Sequence, residues 1–354
     1  MGDTYPNAFV RSGVRQVELG RVSKTATQDD TVSLNPFATL TRVAPEDPGA
    51  ASTILIVMPM SGIIAALVRD LVITLKVSAT VYVLDWTDAR SVPVAFGPFG
   101  YDDQIETIAA ACRYATQPLH LLGLCQSVAP SLIAAEWLLE HPSGQHLKSL
   151  TLVGGPVDPS ANPTQLANSI LATPMAWLEL FAIERVGWRH TGAGRQVYPG
   201  STQLNRVRAY IEHEVASGGP LERKVLKDDG LNAELFPFLE TVQQLKDIPA
   251  DAFLENIRRI YHGSDNRNGR LVFQDRLLDG GGLTGLPILT IEGDADNVVA
   301  PGQTAAALAL FPGQPGIARE TLVIPNAGHF DLFHGEISRS VVGPAVLDFI
   351  RQHA

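Results

Sequence analysis

A chain of 354 residues with 45% apolar residues and a net charge of -10 can build one large α/β domain with an insertion, or two domains. The acidity argues against a nucleic-acid partner, which wants a basic face, and gives no help toward anionic membranes. No stretch is long and apolar enough to span a bilayer, and Met1-Gly2-Asp3-Thr4-Tyr5-Pro6 lacks the basic-then-apolar layout of a secretion signal.

Val14 to Val22 and Thr31 to Val43 read as strand-like stretches, an antiparallel edge before the linker of residues 45–51. Thr53 to Met58 is a continuous apolar run, as a buried parallel strand requires. Pro59-Met60-Ser61-Gly62 breaks it, and Ile63 to Lys76 reads as a helix. Ala79 to Leu84 is the next strand, ending at Asp85-Trp86; residues 91–100 form a Pro- and Gly-rich loop; Tyr101 to Tyr114 is a helix. Leu119 to Leu124 is again apolar, turns at Cys125, and opens into a helix from Val128; Ser149 to Gly155 is a further buried strand. Strands alternating with helices predict a mostly parallel, doubly wound sheet.

After Pro156 the rhythm changes. Residues 160–284 hold no comparable buried strand, and Phe253, Leu254, Ile257, Ile260 and Tyr261 follow helical spacing. We expect a helical cap over 156–284, set between core segments 51–155 and 285–354 and preceded by an N-terminal extension, residues 1–50. Gly280-Gly281-Gly282 reads as a loop before a strand, not a phosphate cradle. The sheet resumes at Pro287 to Glu292, ends at Thr321 to Ile324, and is followed by a terminal helix over Val341 to Gln352.

Strand, sharp turn and helix around Cys125 is the nucleophile elbow of an α/β-hydrolase, with cysteine where serine usually stands. Gly123 supplies the small neighbour two residues before; Ser127 stands two after, where glycine is usual. The bland alternative is a buried structural cysteine, the reading we give Cys112. An acid and a histidine downstream decide for the elbow. Asp296 follows one strand, His329 follows the last, and nucleophile, acid, histidine is the chain order of this fold. His329 would take the thiol proton and Asp296 would hold its tautomer. Asp294 competes, but the acid usually stands three residues past the Gly, here Gly293. The backbone N–H of Gln126, with Met60 or Ser61, would receive the oxyanion. Trp177, Phe181, Trp188 and Tyr198 are candidate apolar walls, with core packing as their alternative fate. His329, Asp331 and His334 lack a matching ligand group elsewhere, so we expect no metal and no cofactor. The two cysteines make no disulfide framework, and the cytosol is the expected compartment.

With these residues in place, the chain resembles the intracellular polyhydroxybutyrate depolymerases, cysteine-type α/β-hydrolases. The likeness runs through Pro59-Met60-Ser61-Gly62, Asp85-Trp86-Thr87-Asp88-Ala89-Arg90, Cys125-Gln126 and Gly154-Gly155-Pro156-Val157-Asp158. It continues in Asn162-Pro163-Thr164, Tyr198-Pro199-Gly200, Gly302-Gln303-Thr304 and Gly328-His329. The resemblance implies a triad of Cys125, Asp296 and His329, and a polyhydroxyalkanoate granule as partner. Its amorphous polyester would be cleaved to 3-hydroxybutyrate oligomers and monomer. The chain departs from that family at Ile63, where histidine is common, and at Ser127, where proline is. A polyester synthase-like or thioesterase acyltransferase is the alternative, since it shares the acyl-enzyme and differs in what attacks it. A non-catalytic granule-coat protein is the alternative from another class.

Overall fold

The computed structural model describes residues 31–115, 118–144, 146–227, 229, 237–263 and 268–353; the expected strand at Val14 to Val22 lies outside them. Its centre is an eight-stranded sheet. The strands are β1 (Thr31–Asn35), β2 (Ala38–Val43), β3 (Thr53–Val57) and β4 (Thr80–Trp86). They continue with β5 (Leu119–Leu124), β6 (Leu147–Val153), β7 (Ile288–Gly293) and β8 (Arg319–Ile324). Their spatial order is β1-β2-β4-β3-β5-β6-β7-β8. β1, β2 and β4 pair antiparallel, and every other neighbouring pair is parallel. The continuous apolar runs follow from this position: every residue of β3, β5 and β7 is buried, because helices cover both faces.

The crossovers explain which face each helix takes. β3 to β4 steps one way along the sheet; β4 to β5 and β5 to β6 step the other way. With a fixed right-handed crossover, reversal moves the connecting helix to the opposite face. Thus α1 (Arg69–Leu75) covers one face, and α2 (Tyr101–Tyr114) and α3 (Val128–Leu139) pack together on the other. The helix expected from Ile63 is shorter: Ile64 is extended and Ala65–Val68 is a 3-10 turn before α1 begins.

Between β6 and β7 lie α4 (Gln165–Ala172), α5 (Met175–Phe181), α6 (Gly200–Ser217), α7 (Pro220–Lys227), α8 (Phe238–Val242) and α9 (Ala250–Asn256). Strands also occur there, at Glu184–Arg185, Gln196–Tyr198, Ile248–Pro249, Leu271–Phe273 and Arg276–Leu278, but they form two small sheets of their own. One loop expectation is corrected. Gly281–Thr284 is a single helical turn, and its N–H groups at Gly282 and Leu283 donate to the Glu136 carboxylate at 3.2 and 2.8 Å. The anion held by this glycine run is the protein's own.

The Asp-Trp-x-Asp-Ala-Arg run fastens residues 246–247 to the sheet. Lys246 Nζ donates to Asp85 Oδ1 at 2.7 Å and to the Trp86 carbonyl at 2.6 Å. Asp88 Oδ1 accepts from the backbone of Asp247, and Ala89 N–H donates to the Asp247 carbonyl. Both Lys246 and Asp85 are buried, so removing one partner strands the other. Lys246→Met is expected to cost about 3 kcal/mol or more. Urea unfolding measures it, and adding Asp85→Asn should recover part of the loss.

α10 (Gly343–Gln352) closes the chain against α1.

Candidate active site

The elbow begins with crowding. A Cβ on Gly123 would stand 2.9 Å from Ser131 Oγ and 3.2 Å from the Ser127 carbonyl oxygen. A Cβ on Gly155 would collide with the Cys125 carbonyl oxygen and the Val128 side chain, which gives the Gly-Gly-Pro run a steric reason. Cys125 itself has φ 49°, a left-handed conformation costly for a side-chain residue and found where a nucleophile is held clear of the sheet. Ser127 is fully buried, and its hydroxyl donates to the Met58 carbonyl at the end of β3. The larger residue at the glycine position is thus accommodated by a hydrogen bond.

Strand ends bring the partners. β7 ends at Gly293, and Asp296 follows in a turn where its Oδ1 accepts from Val298 N–H and Val299 N–H, each at 2.8 Å. That leaves Oδ2 for His329 Nδ1, at 2.8 Å. Asp294 points elsewhere, accepting from Asn326 N–H at 2.6 Å. His329 opens a 3-10 turn after β8, and its Nε2 lies 3.3 Å from Cys125 Sγ. Phe330 and Phe333 meet the imidazole edge-on, fixing the ring plane. Asp331 and His334, close in sequence, turn away. Asp331 pairs with Arg223 and Lys224, and the His334 carbonyl accepts from Lys224 Nζ.

Burial by itself disfavours a charged imidazole at His329, but the Asp296 carboxylate and the Cys125 sulfur outweigh it and raise its pKa to about 10. A raised pKa means that the charged form stabilises the fold fully below the unfolded histidine value of about 6.5 and loses that effect as pH rises through about 10. Wild type should therefore lose more melting temperature than His329→Gln when pH is raised from about 7 to about 10. Thermal unfolding of both proteins at the two pH values checks this.

The three side chains meet at a cavity of about 570 Å³. Gln126 and Ser61 line it beside Cys125; Met60 lines a separate small hollow near Trp86. Ser61 Oγ is buried without a hydrogen-bond partner among the described residues, so the loop after β3 offers a hydroxyl as well as an N–H. The walls differ from the aromatic set expected from sequence. Tyr198 is buried and stacks on Phe253 with ring centroids 4.0 Å apart. Trp177 and Phe181 pack on one another on exposed α5, and Trp188 is 82% exposed. None of the four lines the cavity. Its walls come from α4, through Gln165, Leu166 and Ser169, and from α6, through Gln203, Arg206, Val207, Tyr210 and His213. The α6 residues recur at three- and four-residue steps, one helix face, a spacing present in the sequence.

The family described as PHB de-polymerase C-terminus matches residues 154–354, more than half of the chain. The chain belongs to this family. A member of the PHB depolymerase family with this fold is a hydrolase of carboxylic esters. A candidate lipase (lip1) from Acinetobacter baumannii AYE is similar in structure, with TM-score 0.54 and 14% identity over 95% of this chain and 97% of that one. MGS-M2, an α/β hydrolase enzyme from a Medee basin deep-sea metagenome library, has TM-score 0.52 and 12% identity over 92% and 98% of the two chains. At such identities the likeness shows the α/β-hydrolase fold alone. No curated protein matches the chain. No helix among the described residues is long and apolar enough to cross a membrane.

The two thiols of this depolymerase-family chain differ sharply. Cys112 is wholly buried, which pushes its thiol up to about 12, whereas Cys125 is partly exposed at the cavity. Limited iodoacetamide treatment is expected to label Cys125 at least about 100-fold faster than Cys112, read by peptide mapping.

Proposed function

We propose that the protein hydrolyses poly(3-hydroxybutyrate)-type polyester through an acyl-enzyme on Cys125. Cys125 Sγ attacks the ester carbonyl, and His329, which its raised pKa leaves holding the thiol proton at neutral pH, delivers that proton to the departing 3-hydroxy group. Asp296 holds the imidazole in the tautomer that presents Nε2 to sulfur. Gln126 N–H and a donor from Ser61 receive the oxyanion. Water, deprotonated by His329, then attacks the thioester, releasing the acid and restoring the thiol. The single observation that carries this reading is the chain of contacts Cys125–His329–Asp296, at 3.3 and 2.8 Å, at the cavity.

In this account residues 156–284 act as a cap on the core segments 51–155 and 285–354. A mobile chain in an amorphous granule can enter the capped cavity; a chain pinned in a crystalline lamella cannot. Trp177, Phe181 and Trp188 face solvent outside the cavity, where they can meet only the surface of a granule, not the reacting ester. The test is incubation with amorphous granules, with soluble products identified by mass. Release of 3-hydroxybutyrate and its oligomers is expected. Release of coenzyme A thioesters when coenzyme A is added would make it an acyltransferase, and binding without release would make it a coat protein.

A further inference from the structure

α6 crosses the cavity from one half of the site to the other. Near its start, Gln203 Nε2 donates to the Ser61 carbonyl, in the loop expected to hold the oxyanion. Two turns later, Tyr210 Oη donates to Asn297 Oδ1 at 2.8 Å, beside Asp296. The seven-residue step from one anchor to the other spans about 10 Å of helix, and Arg206 stands between them on the same face. It lines the cavity, and among the described lining residues it alone carries a guanidinium or ammonium group. Its Cζ lies 5.9 Å from the centroid of the Tyr198 ring, which steadies the planar head from one side. No described residue accepts a hydrogen bond from it or pairs with it as an anion. The other arginines of α6 and α7 find partners: Arg208 meets Gln243, and Arg223 meets Asp331.

A cation in an active-site cavity, lacking a protein anion and anchored between oxyanion loop and acid loop, suits an anionic part of the substrate. The interior of a neutral polyester chain has none; a chain end has one. We infer that Arg206 binds the free terminal carboxylate of a 3-hydroxyacid oligoester, making this a site that reads the carboxyl end of the chain. The inference rests on the polyester reading given above. The carboxylate belongs to the alcohol side of the last ester bond. When Cys125 Sγ bonds to the carbonyl carbon, the carbon–oxygen bond to that last unit breaks. The thiol proton goes through His329 to the departing oxygen, and the unit leaves as a hydroxyacid with its carboxylate still on Arg206. Short free-acid oligomers, rather than chain interiors, are then the preferred substrates, and monomer is released from the carboxyl end. The planar fork of arginine matches a carboxylate through two parallel hydrogen bonds, which lysine cannot reproduce.

The experiment compares the 3-hydroxybutyrate trimer as free acid with the same trimer as its methyl ester, in wild type, Arg206→Gln and Arg206→Lys. Wild type should favour the free acid by about tenfold in kcat/KM, carried mostly by KM. In Arg206→Gln the ratio should fall to about one, and Arg206→Lys should keep part of it. Equal kcat/KM for the two trimers in wild type overturns the inference while leaving the polyester reading intact, and that comparison needs no variant to fold. A preference that survives in Arg206→Gln also overturns it. Cleavage of neither trimer by wild type overturns the polyester reading and this inference with it.

Discussion

Replacing Cys125 with alanine is expected to lower kcat for ester hydrolysis by about 10⁴-fold or more, because the proposed mechanism loses the step that forms its acyl-enzyme. What remains is a cavity with oxyanion donors and His329, which can only direct water. Cys125→Ser is a finer probe. The Sγ–Nε2 separation of 3.3 Å suits sulfur, whose bond to Cβ is longer than that of oxygen. A serine hydroxyl would be held further from both the imidazole and the ester carbon, so a loss of about 10²-fold or more in kcat is expected. Single-turnover kinetics on a soluble hydroxybutyrate oligomer distinguish the two variants. Folding should be unaffected by either change, since Cys125 is only partly buried and donates no structural hydrogen bond besides its contact with His329 among the described residues.

The second large effect is expected at Asp296. Its two oxygens have separate tasks: Oδ1 takes two backbone N–H groups of the turn, and Oδ2 takes His329 Nδ1–H. In Asp296→Asn the amide carbonyl can keep the backbone bonds, which leaves the NH₂ group facing His329. That group cannot accept from Nδ1–H, so the ring is driven to the tautomer with its proton toward sulfur, and the base is lost. A drop in kcat of about 10³- to 10⁴-fold is expected, with the turn intact. Asp294→Asn is the matched control. Its partner is Asn326 N–H, outside the cavity, and a change of less than about threefold is expected. Steady-state kinetics on both variants decide which of the two neighbouring carboxylates serves the histidine.

How much of this was legible beforehand depended on whether a feature is local. Continuous apolar runs gave the buried strands, and the chain order of Cys125, Asp296 and His329 placed three residues at strand ends that the sheet then brings together. Asp85 had no visible partner, because Lys246 stands 161 residues away and only the folded chain pairs them. Ser127 looked like a flaw in the elbow because its acceptor, the Met58 carbonyl, lies just past another strand, β3. The cavity walls misled for a different reason. Aromatic residues in the segment after Pro156 suggested apolar walls, yet burial preference says nothing about direction, and α5 turns Trp177 and Phe181 to solvent. One face of α6 forms a wall of the cavity, with Gln203 and Tyr210 among the residues that tie that helix to loops from the core.

Trapping the covalent intermediate decides whether Cys125 carries the acyl group. The enzyme is mixed with a 3-hydroxybutyrate oligomer, quenched in acid within the first turnover, digested and mapped by mass. A hydroxybutyryl thioester is expected on the peptide carrying Cys125, absent from Cys112, and decaying as free acid accumulates. Product formation in the same time window with Cys125 unmodified would contradict it.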